Sequence, residues 1–242
     1  MRMKAIFAFV AALAFAVAGP LLAPDFRGYR PHDFPVPQLN APIQPARYAF
    51  AIWGVIYVWL VVSTGFGLLR RHSAEDWDAH RWPLIAALVI GTPWLTVATL
   101  SPLLATIMIF VMLVCALVAL EKSPVLDPWL ARAPIALFAG WLTAAAFVSL
   151  SLIGSGYKII YGQIGWAYFG MLGALIFAVV GCRMRPDAPL YPVGVAWGLL
   201  GIAVNNWNDR WGIVAVALLS VLWLLAYALR GWRRHEMEPF HG

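Results

Sequence analysis

Eight apolar stretches, joined by segments of about 25 residues or fewer, fill most of this 242-residue chain and leave few folds open to it. They run over 5–23, 48–69, 83–100, 102–120, 134–153, 163–182, 189–204 and 211–229. Apolar residue types make up 62% of the chain and charged types 12%. A soluble core cannot enclose that share of apolar side chain in a chain this size, whereas lipid can stand in for the missing interior. The expected fold is all-α: a polytopic transmembrane helix bundle of about eight spans, organised as one integral membrane domain over 1–242. The spans at 83–100 and 189–204 are shorter than the roughly 20 residues that cross a bilayer as helix.

Charge sets the orientation. The net charge of +6 would suit nucleic acid or anionic lipid. Its basic residues sit beside helix ends, which favours lipid and gives nucleic acid no part. With the N-terminus inside, one side receives Arg2, Lys4, Arg70, Arg71, Arg81, Lys122, Arg132, Arg183, Arg185, Arg230, Arg233 and Arg234. The other receives Arg27, Arg30, Arg47, Lys158 and Arg210. The positive-inside rule then places both termini in the cytoplasm, with a short cytoplasmic tail at 230–242, in what reads as a bacterial inner membrane. Arg2, Lys4 and Ala16-Val17-Ala18 also fit a cleavable signal peptide, which would leave seven spans. Retention as a helix is the expectation. Cys115 and Cys182 lie in apolar helices without a CxxC or haem-attachment context, and no disulfide or metal is read there.

Residues 24–47 form a Pro-rich outer loop. Pro24, Pro31, Pro35, Pro37, Pro42 and Pro45 forbid a long helix and favour extended or turn backbone. A surface loop packed on the outer face is the plain reading, and a lid over a cavity between helices is the functional one. Pro93, in Thr92-Pro93-Trp94, removes a backbone hydrogen bond and should kink the third span.

Thirteen tryptophans are present. Interfacial belts account for Trp82, Trp129, Trp211 and Trp232, whereas Trp53, Trp59, Trp94, Trp141 and Trp197 lie deeper in their spans. One cluster is distinctive: PARYAFAIWGVIYVW, residues 45–59. Phe50, Trp53 and Tyr57 are spaced by three and four and share a helix face, with Gly54 beside them to admit a close neighbour. A mid-span tyrosine hydroxyl has no use in lipid, so Tyr57 should face the bundle.

This stretch resembles the TspO/translocator-protein family, also called tryptophan-rich sensory proteins. Members carry PPGWVFGPVWTLLY where the first outer loop enters the second helix. Pro45, Tyr48, Phe50, Trp53 and Tyr57 match it, while Ala46 and Arg47 replace the second proline and the glycine. The family has five helices, so this chain looks like a divergent, enlarged relative. The resemblance implies a membrane receptor or carrier for a flat hydrophobic ligand, tetrapyrrole-like or a polycyclic lipid, held in an aromatic-lined cavity between helices. No cofactor is required, and porphyrin or haem enters as ligand.

Trp94 joins Tyr48, Phe50, Trp53 and Tyr57 as a candidate wall residue. Asn205, Asn206 and Arg210 are candidates for a polar rim at the outer mouth, where Arg210 could meet a ligand's carboxylates. The plain reading of that cluster is a hydrated turn in which Asp209 or an asparagine caps the last helix. No span carries a central carboxylate, Arg, Lys or His, which weakens proton coupling. The histidines form no HxxxH or HExxH pair, and His72, Glu75, Asp76, Asp78 and His80 read as a solvated charged loop. No nucleophile, base and metal set can be assembled, so the chain is not read as an enzyme, although Asp209 and Arg210 leave a lipid-modifying activity as a rival. A secondary transporter or facilitator for a small solute is the main alternative. A subunit or assembly factor of a larger membrane complex is another, and a homodimer is compatible with the sequence.

Overall fold

The computed structural model describes residues 1–22 and 28–237. Pro24 and Arg27 of the outer loop, His241 of the tail, and the side chains of Arg233, Arg234 and His235 lie outside that description. Among the described residues the chain is helical without strands. Ten helices follow in order: α1 (Arg2–Leu22), α2 (Ile52–Arg70), α3 (Glu75–Asp78), α4 (Arg81–Gly91), α5 (Trp94–Leu100), α6 (Pro102–Glu121), α7 (Arg132–Gly156), α8 (Gln163–Met184), α9 (Leu190–Asn205) and α10 (Trp211–Met237). Among the described residues, seven segments are long and apolar enough to cross a membrane, one of them built from α3, α4 and α5 together. The eighth, α9, has 16 residues. At 1.5 Å per residue that is roughly 24 Å, short of a hydrocarbon core of about 30 Å. It packs against α7 and α10, with its glycine face buried.

Three details follow directly from local chemistry. Pro93 separates α4 from α5, as its missing N–H requires, and the Thr92 hydroxyl donates to the Leu88 carbonyl at the break. Ser101 caps α6 through its hydroxyl, which accepts from the Leu104 N–H, and Pro102 takes the first helical position. The residues Gly54, Val55, Val58 and Val62 form an exposed stripe on α2, and nothing lies within 4 Å of a side chain built at Gly54. Gly54 therefore faces away from the bundle, opposite to the close approach its position beside Trp53 suggested.

α7 is the axis of the bundle. It packs on α2, α6, α8 and α9 and is buried almost all round. Its crossing with α9 is a contact between backbones: a Cβ at Gly140 would lie 2.1 Å from the Tyr191 carbonyl oxygen, and one at Gly194 2.8 Å from that of Leu137. Small residues let membrane helices approach this closely, and dispersion over the shared surface then holds them. Polar groups lock the same joint. The Tyr191 hydroxyl lies 3.1 Å from the Thr143 hydroxyl and donates to the Phe177 carbonyl at 3.1 Å, joining α7, α8 and α9.

At the end of the bundle that carries the N-terminus, arginines close helix C-termini whose last carbonyls lack intrahelical donors. Arg81 donates to the Arg71 carbonyl at the end of α2, and Arg185 to the carbonyls of Leu120, Glu121 and Ser123 at the end of α6. Asp127 accepts both Arg71 and the Trp77 indole. The segment 72–80, expected to be a solvated charged loop, is instead partly interior. Trp77 and His80 are buried, and Asp78 pairs with Lys4 and Arg81.

Asp187 gives a pH test. Burial opposes its ionisation, but Arg185 hydrogen bonds and the charges of Arg132 and Arg185 prevail, holding the carboxyl below its usual range. A depressed folded value means stability that is present above the unfolded carboxylate value of about 3.9 and lost as pH falls through the folded one. The melting temperature in detergent should hold from neutral pH to near pH 4 and fall below it. Asp187→Asn should lower the neutral plateau and shrink that acid-dependent loss.

Candidate functional site

The 28–47 segment crosses the ends of α7, α8 and α9 and is fastened to each. Val36 N–H donates to the Gly156 carbonyl (3.0 Å), and the Ser155 hydroxyl and Gln163 amide donate to Gln38 Oε1 (2.7 and 3.2 Å). On α9, Ala46 N–H donates to the Gly201 carbonyl (2.9 Å) and the Trp197 indole to that of Ala49 (2.8 Å). Asn206, wholly buried, donates to the carbonyls of Pro42 and Ile202 (2.7 and 2.8 Å) and accepts from Arg210 (3.1 Å). Gly28 has φ +105°, and a Cβ there would lie 2.4 Å from the Gln44 amide nitrogen, so the chain turns into this segment at a position only glycine suits.

Beneath the segment lies a cavity of about 40 Å³, bordered by Tyr29, Gln44, Phe50, Trp94, Trp141 and Ser149. That holds one or two waters and is far below the roughly 300–1,000 Å³ of sites that enclose drug-sized ligands. The rings of Tyr29, Phe50, Trp94 and Trp141 share its walls with small and aliphatic side chains, and Tyr29, Gln44 and Ser149 bring the polar groups. Tyr29 hydroxyl and Ser149 hydroxyl are 3.4 Å apart. Burial pushes the Tyr29 phenol above its ordinary value, although its contacts with Ser149 and Thr106 act the other way, so it keeps its proton at neutral pH.

Trp141 is the distinctive member. Its side chain is 2% exposed, and its indole nitrogen is buried without a hydrogen-bond partner. A buried donor left unpaired costs about 1–3 kcal/mol, so something must justify its retention. Trp94, by contrast, donates to the Ala105 carbonyl at 2.8 Å.

The expected site residues divide into four groups. Phe50 and Trp94 border the cavity. Trp53 and Tyr57 share a face as their spacing requires, stacked at 5.4 Å, but stand one layer behind it. There they pack on Phe15 of α1 and, for Trp53, on Phe138 and edge-on to Trp141. Tyr48 is exposed, outside the cavity lining and edge-on to Trp197. Asn205, Asn206 and Arg210 lie at the same end of the bundle, where Asn206 and Arg210 fasten the loop. The Arg210 carbonyl receives the N–H groups of Ile213 and Val214 in the first turn of α10. Tyr29, Gln44, Trp141 and Ser149 were not singled out by spacing. Only the depth of Trp141 in its span hinted at a role.

A family model for TSPO-like proteins matches residues 5–230. The chain belongs to the TSPO-like family. The match runs from α1 into α10, well past the aromatic stretch at 45–59 that carries the resemblance in sequence. No curated protein and no solved structure matches the chain.

Proposed function

We propose that this TSPO-like membrane protein is a receptor or carrier for a flat hydrophobic ligand, tetrapyrrole-like or a polycyclic lipid. The ligand enters beneath the 28–47 segment after that segment shifts to enlarge the cavity. The observation that carries the reading is the unpartnered Trp141 N–H at an aromatic-walled cavity. Phe50, Trp94 and Trp141 offer ring faces to a planar apolar body, and the Trp141 N–H, Gln44 and Tyr29 offer polar partners to its edge. The tethers from Gln38, Ala46 and Asn206 make the segment a fastened cover, so ligand exchange requires several hydrogen bonds to open together. Gentle purification in native lipid, followed by an absorption spectrum and mass spectrometry, should recover a co-purifying pigment or polycyclic lipid. Recovery of neither, with solute flux in proteoliposomes, would favour a transporter or facilitator instead.

We also propose that both termini face the cytoplasm of a bacterial inner membrane, on the support of the twelve-to-five division of basic residues. A cytoplasm-active reporter should work after Gly242 and in the 72–80 segment and fail within 28–47. A periplasm-active reporter functioning after Gly242 would reverse the orientation.

A further inference from the structure

A larger cavity, about 220 Å³, lies at the opposite end of the bundle between the start of α7 and the turn joining α8 to α9. Its walls are mainly apolar, with Trp129, Ala133, Ala136 and Leu190 prominent, and Arg132 and Asp187 bring the charge. Arg132 is 2% exposed. Its two terminal nitrogens are engaged: one with the carbonyl and carboxylate of Asp187, the other with the Pro124 carbonyl at 3.0 Å. Its Nε–H is buried and has no partner. A guanidinium carries five donors and no acceptor, so only an acceptor can satisfy that position.

The surrounding charge points the same way. Asp187 is shared between Arg132 and Arg185, leaving two cations against one carboxylate. Neither α7 nor α9 has a side-chain cap at its N-terminus here, and both helix ends add partial positive charge. Among the described residues the excess is one positive charge, beside a buried donor atom without a partner and an apolar wall.

We infer that this cavity binds an amphiphilic monocarboxylate, with one carboxylate oxygen meeting the Arg132 Nε–H once the buried guanidinium tilts toward the cavity, and a short alkyl chain along Trp129 and Leu190. A phosphate dianion would exceed the local charge excess and leave the apolar wall unused. A small neutral molecule could accept from that donor but would leave the positive charge excess unanswered. The volume is below that of a drug-sized site, which suits a medium chain or the head end of a longer one. A soluble medium-chain acid and a fatty acid from the bilayer share this chemistry. The inference stands on this cavity alone and is independent of the ligand proposed for the aromatic one.

The test is calorimetry on the full chain in zwitterionic nanodiscs, using octanoate, 1-octanol and inorganic phosphate as probes. Octanoate should bind saturably at one site, and 1-octanol at least tenfold more weakly. Ala133→Leu, which fills the cavity from a half-buried position and leaves Arg132 intact, should weaken octanoate at least tenfold without changing thermal unfolding. Arg132→Lys keeps the charge, loses the Nε–H donor and should weaken octanoate by a similar factor, at some cost in stability from its lost bonds to Asp187 and Pro124. If that variant fails to fold, Ala133→Leu decides alone. Competition by hexadecanoate incorporated in the nanodisc assigns the natural source to the bilayer, and its absence assigns a soluble acid. Equal binding of octanoate and octanol, displacement by phosphate, or unchanged octanoate affinity in folded Ala133→Leu would overturn the site.

Discussion

Gly140→Ala should destabilise this protein more than its size suggests, by about 3 kcal/mol or more, the upper part of the usual range for overpacking. Alanine is the better helix former by about 1 kcal/mol, so propensity alone predicts the opposite sign. The added methyl would sit 2.1 Å from the Tyr191 carbonyl oxygen and 3.1 Å from the Gly194 Cα, both backbone atoms that no rotamer change can move. α9 must therefore shift. That shift disturbs the Thr143–Tyr191 joint and the Trp197 and Gly201 fastenings of the covering segment. The control is Gly54→Ala, whose methyl meets nothing within 4 Å and should be neutral or slightly stabilising. Thermal unfolding of both variants in one detergent checks the pair. Equal melting temperatures would contradict the close backbone crossing.

The helical architecture was legible because a bilayer fixes both the length and the polarity of what crosses it. The break at Pro93 and the start at Ser101-Pro102 follow from single-residue chemistry. What hydropathy could not reveal was which flanking charges turn inward. Arg81 and Arg132 sit just outside the apolar runs and read as interfacial anchors, yet both are 2% exposed and satisfy buried carbonyls. The reason is geometric: carbonyls at the ends of α2 and around the start of α7 need donors, and those ends meet only in three dimensions.

The candidate site shows the same division. Spacing placed Trp53 and Tyr57 on one face of α2. Whether that face meets a cavity or other rings depends on Phe15 and Phe138, which come from α1 and α7, 38 residues before Trp53 and 85 after it. The two rings therefore support the cavity wall, while Phe50, one turn earlier, forms part of it. Trp141 could be placed deep in its span from sequence. That its indole N–H goes unpaired depends on every neighbour around it.

Ala145→Phe should abolish binding of a flat ligand, by about a hundredfold in affinity or roughly 2.7 kcal/mol, because Ala145 borders the cavity and is only half-buried. A benzyl group there takes up space that the ligand needs and can leave the bundle itself intact. Trp141→Phe keeps a ring in place and removes the unpaired N–H. It should weaken binding about two- to tenfold, the worth of one neutral hydrogen bond, while leaving stability unchanged or raised. Trp53→Phe acts one layer back, so its main effect should be on melting temperature, with affinity nearly preserved. This ordering separates a ligand wall from a packed core, since a packing role alone would give losses of stability and no ordered loss of affinity.

The most direct test of the account is calorimetric titration of protoporphyrin IX into folded wild-type protein and the Ala145→Phe variant in nanodiscs. Heat rather than fluorescence avoids inner-filter artefacts from the coloured ligand. The account predicts saturable binding at one site per chain in the wild type and its loss in Ala145→Phe, with both proteins unfolding at similar temperatures. Absence of saturable binding to the folded wild type, or equal binding by both proteins, would contradict it.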